Sequence, residues 1–179
     1  KKRNVNLPKE VYTTDAYQAI KDKDTDIIVE LMGGINPACE YVKAALNNKK
    51  HVVTANKALI ATHGEELESL AAVNGVMLLY EASVGGGIPI LNTIRDNLSA
   101  NEFESFFGIV NGTTNYILTQ MSENGLEYDK AVKEGQKLGF AEADPSSDVD
   151  GDDAAYKLSI LATLAFGERI NIKDIPKEG

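Results

Sequence analysis

Four stretches of this chain combine residue types that can do chemistry. The richest lies between Gly139 and Lys157. Residues 142–153 carry six carboxylates, Glu142, Asp144, Asp148, Asp150, Asp152 and Asp153, and Lys157 follows. Asp153 and Lys157 are four apart, so a helix would put them on one face, and the apolar residues around them set that face beside a buried surface. From spacing alone the stretch reads as a solvated acidic loop with one ion pair. The positions of Asp144, Asp148, Asp150 and Asp152 loosely resemble a calcium loop, but the D-x-D-x-D-G order and the glutamate at position twelve are missing. The second stretch is Thr54-Ala55-Asn56-Lys57, directly after a strand-like run. A lysine at the carboxyl end of a parallel strand can meet a phosphate or carboxylate, or simply face solvent at a turn. The third is Glu81-Ala82-Ser83-Val84-Gly85-Gly86-Gly87-Ile88-Pro89. Its glycines free the backbone to aim carbonyls at a hard monovalent cation, or to form a hinge. The fourth is Asn111-Gly112-Thr113-Thr114-Asn115, whose backbone N–H groups can hold an anion or serve as a helix cap.

The elements that must position these residues follow from apolar periodicity. Asp15–Ile20 reads as a short helix. Asp26–Met32 is an apolar, β-branched run that stops at Gly33-Gly34, as a buried parallel strand does. Asn36 as N-cap and Pro37 at the first helical position open a helix whose inner face is Val42, Ala45 and Leu46 and which ends near Asn47-Asn48. A strand at His51–Ala55, a helix at Glu65–Val73 stopped by Asn74-Gly75, and a strand at Val76–Tyr80 complete the series. Alternating strands and helices with short links imply a parallel sheet with right-handed crossovers. The pattern then changes. A helix is expected over Pro89–Leu98 and a longer strand over Phe103–Val110. Further helices are expected over Thr113–Glu123, Tyr128–Leu138 and Asp153–Phe166, with an acidic loop over 140–152. The fold class is α/β: an incomplete Rossmann-like parallel sheet followed by an α+β unit, with the boundary near residues 82–88. No G-x-G-x-x-G turn is present, and helix-like sequence precedes the first strand, so the sheet reads as starting partway through a nucleotide-binding unit. Ile175–Gly179 reads as a cut in a linker.

Bulk properties remove several function classes. A chain of 179 residues with 43% apolar and 25% charged residues can build a core. A net charge of −9 repels phosphate backbones, so no nucleic-acid partner is expected. No apolar run approaches the ~20 residues of a membrane span, and the Lys1-Lys2-Arg3-Asn4 start carries no signal-peptide core. A single cysteine, Cys39, excludes a disulfide framework, reads as a small buried apolar residue and fits a reducing, cytoplasmic location. Two histidines, His51 and His63, exclude His-rich metal sites.

Taken together, Glu30–Gly34, Thr54–Leu59, Tyr80–Pro89, Gly108–Leu118 and the acidic stretch ending at Lys157 resemble homoserine dehydrogenase, in order and separation, across essentially the whole chain. The resemblance implies interconversion of L-aspartate 4-semialdehyde and L-homoserine with NAD or NADP, in threonine, methionine and isoleucine biosynthesis. It implies that Lys157 is the catalytic proton donor and Asp153 its partner and a substrate ligand. Glu142 would hold the substrate ammonium with Asp148 assisting, Lys57 would lie near nicotinamide and substrate, and Gly112 and Thr113 would border the substrate pocket. Met32 and Gly33 would join Lys57 in binding cofactor. Glu81, Val84, Gly86 and Ile88 would form a structural monovalent-cation site for Na+ or K+. Residues 1–84 would be a partial NAD(P)-binding domain lacking its first βα unit, and 85–179 a substrate-binding and dimerisation domain lacking its C-terminal part. A homodimer is expected. The chemistry is consistent: reducing an aldehyde develops negative charge on oxygen, which a nearby ammonium stabilises, and a zwitterionic amino acid needs carboxylates for its amine. Another Rossmann-type dehydrogenase of a small substrate, or an inactive dimerising fragment, are the alternatives.

Overall fold

A computed structural model describes residues 8–178. The basic start at Lys1–Asn4 and the terminal Gly179 lie outside the described residues. The elements run α1 (Ala16–Lys21), β1 (Ile27–Glu30), α2 (Ala38–Asn47), β2 (His51–Thr54), α3 (Lys57–Asn74), β3 (Leu78–Leu79), α4 (Ile90–Asn92), α5 (Gly112–Asn124), α6 (Tyr128–Leu138), α7 (Ser146–Val149) and α8 (Asp152–Phe166). A π-helical stretch, Thr93–Asn97, continues α4. The fold is mixed α/β. Its sheet has the order β1-β2-β3 and is parallel throughout, with Ile27 beside His51, Glu30 beside Thr54 and Val52 beside Leu78.

One core joins the sheet to the helices. Val42 and Leu46 of α2, Val52 of β2, Leu59 and Leu67 of α3, and Ile160 and Leu161 of α8 are all buried in it. Helix α8 is thereby locked onto α3, and the Arg169 guanidinium just beyond it donates to the Ala61 carbonyl at 2.5 Å. This seam brings together residues far apart in the sequence. Helix α5 packs beside α6, and its Tyr116 ring stacks on Phe140, just beyond the end of α6, 4.7 Å apart. Both helices stop on left-handed glycines, Gly125 and Gly139. Among the described residues no helix is long and apolar enough to cross a membrane.

Two expected bounds move, since the 140–152 loop holds the short helix α7 and the strand over Val76–Tyr80 is only Leu78–Leu79, and four further expectations need correction. Phe103–Val110 is irregular, not a strand, and Phe107 is 99% exposed. A strand exists only when another backbone takes up its N–H and C=O groups, and none of the described residues lies alongside. The β1 strand is not buried on both faces: Ile28 and Glu30 turn inward while Ile27 and Val29 are exposed. The side-chain period of two sends alternate residues to a face that the described helices leave bare. Asn36 does not cap α2. Pro37 occupies the cap without a side-chain hydrogen bond, and the first turn is satisfied by backbone, Cys39 N–H donating to the Ile35 carbonyl at 2.8 Å. Helix α3 begins at Lys57, eight residues before the expected Glu65, because the Asn56 side chain accepts from Leu59 N–H and starts the helix there.

Candidate active site

The carboxyl ends of β1 and β2 are built around Glu30, which is buried. Its Oε1 accepts from Met32 N–H (2.7 Å) and Gly33 N–H (3.3 Å), and its Oε2 accepts from the Thr54 hydroxyl at 2.6 Å. Thr54 Oγ1 in turn accepts from Asn56 N–H, and the Asn56 amide donates to the Gly34 carbonyl at 2.6 Å. The loop after β1 and the turn after β2 are therefore one hydrogen-bonded unit. It fixes Gly33 and Gly34 in left-handed conformations and leaves Met32 exposed above the sheet. Its other product is Lys57, set at the first position of α3.

Helix α8 supplies the partner. Gly151, at φ +78°, lets the chain reverse from α7 into α8, so Asp153 falls in the first turn, where the helix dipole favours a negative charge. Asp153 is 5% exposed. Its Oδ1 meets Lys57 Nζ at 2.9 Å and its Oδ2 meets Lys157 Nζ at 2.7 Å. Asn111 Nδ2 donates to the same Oδ2 at 2.8 Å and to Asp148 Oδ1 at 2.8 Å. Burial pushes the Asp153 carboxyl upward, but hydrogen bonds from Lys157, Asn111 and Lys57 outweigh it and hold the group below the usual carboxylate range. Lys157 Nζ also donates to the Val110 carbonyl at 2.6 Å. Lys57, Asp148, Asp153 and Lys157 thus form a cluster of two cations and two anions, with no net charge.

Lys157 also lines a cavity of about 350 Å³, otherwise walled chiefly by Val84, Gly85, Ile88, Ile90, Ile109, Val110 and Leu161. An ammonium with two of its three N–H groups committed, at the wall of an apolar cavity, can donate to an oxygen that gains negative charge there. Thr113 closes the neighbouring turn through its hydroxyl bond to the Phe140 carbonyl at 2.7 Å. Gly112 is the first residue of α5.

Of the residues expected from sequence, Lys57, Asp148, Asp153 and Lys157 are brought together. Glu142 stands outside their hydrogen-bonded group; its carboxylate is exposed and its carbonyl accepts from the Gln136 amide at 3.1 Å. In the 81–88 turn the Glu81 carboxylate accepts from Leu91 N–H (2.9 Å) and Asn92 N–H (2.8 Å), so it serves as a helix cap. Gly85 and Gly86 are left-handed there, Val84 is buried and Ile88 is exposed. Sequence reasoning missed Glu30 and the bridging role of Asn111. A glutamate closing an otherwise apolar β-branched run was the available signal for the first.

A parallel sheet carrying a lysine at its carboxyl edge, joined to a helix bearing an aspartate–lysine pair, places the chain in the α/β class with one buried charged cluster between the two. The comparisons narrow that class. The family model described as "Homoserine dehydrogenase, NAD binding domain" matches residues 1–81, and the one described as "Homoserine dehydrogenase" matches residues 89–179. The chain belongs to the homoserine dehydrogenase family. Homoserine dehydrogenases of Synechocystis sp. and Bacillus subtilis are each 51% identical over all 179 residues. The chain spans 41% of the length of each of these relatives. The crystal structure of a homoserine dehydrogenase from Thiobacillus denitrificans superposes with a TM-score of 0.90 at 48% identity, covering 93% of this chain and 39% of that one. A hyperthermophilic archaeal homoserine dehydrogenase in complex with NADPH gives a TM-score of 0.81 at 35% identity, covering 92% of this chain and 53% of that one.

Proposed function

We propose that this chain carries the nicotinamide-facing and catalytic parts of a homoserine dehydrogenase, which interconverts L-aspartate 4-semialdehyde and L-homoserine in threonine, methionine and isoleucine biosynthesis. The observation that carries the reading is the buried Asp153 carboxylate held between Lys57 and Lys157, with Lys157 at the wall of an apolar cavity. Residues 1–84 act as the NAD(P)-binding part and 85–179 as the substrate-binding part. Met32, Gly33 and Lys57 hold the cofactor. The fit rests on the exposed Met32, and on Gly33, where an added Cβ would meet open space. NAD(P)H, when bound, supplies the hydride. Lys157 gives a proton to the aldehyde oxygen, so that C=O becomes CH–OH, and takes it back in the reverse direction. Asp153 neutralises and orients both lysines. Glu142 and Asp148 take the substrate ammonium, and Gly112 and Thr113 border the pocket. A site for Na+ or K+ at the 81–88 turn would use the backbone carbonyls of Glu81, Val84, Gly86 and Ile88; those of Glu81 and Ile88 already accept from Val84 N–H (3.4 Å) and Ile90 N–H (2.8 Å) and would offer their second lone pairs. A homodimer is supported by the exposed Phe107 and Ile109, which need covering. A cytoplasmic location is supported by the single cysteine.

The test is nicotinamide reduction by the complete natural protein, given L-homoserine and either NAD or NADP. Replacing Lys157 with Ala should lower the rate by about 10²–10⁴-fold with the circular dichroism unchanged. A folded Lys157→Ala protein that keeps its rate would remove Lys157 from the chemistry. A wild-type protein that reduces neither cofactor with homoserine, yet does so with another small alcohol, would favour a different dehydrogenase of the same design.

A further inference from the structure

Asn111 is the N-cap of α5, and its amide also touches two carboxylates on other elements. Its Oδ1 accepts from Thr114 N–H at 2.8 Å and from the Thr114 hydroxyl at 2.9 Å. Its Nδ2 donates to Asp148 Oδ1 and Asp153 Oδ2, each at 2.8 Å. Two donors and two acceptor sites are all an asparagine amide has, and here all four are used. The orientation is unambiguous. A flipped amide would set its oxygen against two carboxylate oxygens and its NH₂ against the Thr114 N–H. A helix cap needs only the oxygen. The NH₂ is spent entirely on the site.

The charged groups around this amide are Asp148 from α7, Asp153 and Lys157 from α8, and Lys57 from α3; α5 contributes the uncharged Thr114. Nearby Asp152 is paired with Lys177. Both Asp153 oxygens are engaged, Oδ1 by Lys57 and Oδ2 by Lys157 and Asn111. Asp148 commits only Oδ1 among the described residues. We propose that Asn111 is a positioning residue: it bridges two carboxylates that would otherwise repel one another, and it turns Asp148 so that its second oxygen is left for a cationic group of the substrate. The proposal rests on the functional reading above, since it takes the substrate's cation to be an ammonium.

Asn111→Asp separates the two jobs. Aspartate caps a helix as well as asparagine does, but presents a carboxylate where the NH₂ stood. Asn111→Ser is a neutral second variant that keeps a capping oxygen and loses the bridge. The complete natural protein is labelled with carboxyl-13C aspartate, and the Asp148 and Asp153 signals are titrated without substrate. In Asn111→Asp both should titrate about one pH unit or more higher, and in Asn111→Ser they should move the same way by less. In turnover, kcat/KM for homoserine should fall about tenfold or more in both variants, mainly through KM, and the acid limb of the Asn111→Asp profile should move up. Either folded variant with wild-type titrations makes Asn111 a helix cap alone and overturns the proposal. Should both variants unfold, the wild type decides: its Asn111 side-chain amide protons must respond to the Asp148 and Asp153 titrations, and indifference to them overturns the proposal. A wild type inert toward homoserine refutes the functional reading, while the titrations still judge the bridge.

Discussion

Replacing Asp153 with Asn tests the centre of the cluster. The substitution keeps size and shape but removes the charge shared by Lys57 and Lys157. Asparagine offers one acceptor oxygen and one donor NH₂ where the carboxylate offered two acceptor oxygens. Lys57 approaches one oxygen, and Lys157 and Asn111 the other. Whichever way the new amide turns, its NH₂ faces at least one donor. Removing one partner of a buried ion pair costs about 3–5 kcal/mol. Lys57 is 38% exposed at its side chain and can swing into water, which lowers the expected cost to about 2–4 kcal/mol. For a chain of this size that is a fall of about 5–15 °C in the thermal midpoint. The pH dependence has a definite sign. Asp153 titrates lower folded than unfolded, because its three donors outweigh burial. Its stabilisation is therefore fully present above the ordinary carboxylate range and is lost as pH falls through the depressed folded value. The gap between wild type and Asp153→Asn should stay constant near neutrality and close only in acid, below pH about 4. Urea unfolding at a series of pH values measures it. Equal stability at neutral pH, or a gap that persists unchanged into strong acid, would refute the cluster as the source of the energy.

Two other perturbations address the sheet side of the site and the core beneath it. Glu30→Ala should leave the Met32 and Gly33 N–H groups and the Thr54 hydroxyl without their shared acceptor. The cost should be about 1–3 kcal/mol, and cofactor affinity should weaken as Lys57 and the 31–34 loop lose their reference; Glu30→Gln, which can still accept from the two N–H groups, should restore most of both, as unfolding and nicotinamide fluorescence titration would read. Burial raises the Cys39 thiol above its ordinary value, so its modification by a thiol reagent at mildly alkaline pH should follow the unfolding rate and not thiolate chemistry. Fast labelling of the folded protein would place Cys39 outside the core.

What could be read from sequence was local. Helix α6 was expected over its full extent because apolar spacing defines it and left-handed Gly139 ends it, both within one stretch of chain. Asp153 and Lys157 were paired because an i,i+4 relation needs nothing beyond its own helix. The early start of α3 escaped because β2 and the helix are separated only by Ala55 and Asn56, and an asparagine there looks like loop until its side chain is seen accepting from Leu59. The Phe103–Val110 strand was expected on β-propensity, a property of residues, whereas a strand is a property of pairs. The same distinction governs the site. Asn111 reaches Asp148 and Asp153 across 37 and 42 residues of sequence, and the packing of α8 on α3 brings Lys57 to Asp153. Spacing cannot encode those meetings. They follow from a hydrophobic seam, Leu59 and Leu67 against Ile160 and Leu161, whose residues carry no chemistry of their own. The Lys57–Asp153–Lys157 cluster is therefore as secure as that seam, and loosening it by truncating Leu161 should disturb Lys57 and Asp153 together even though neither is touched.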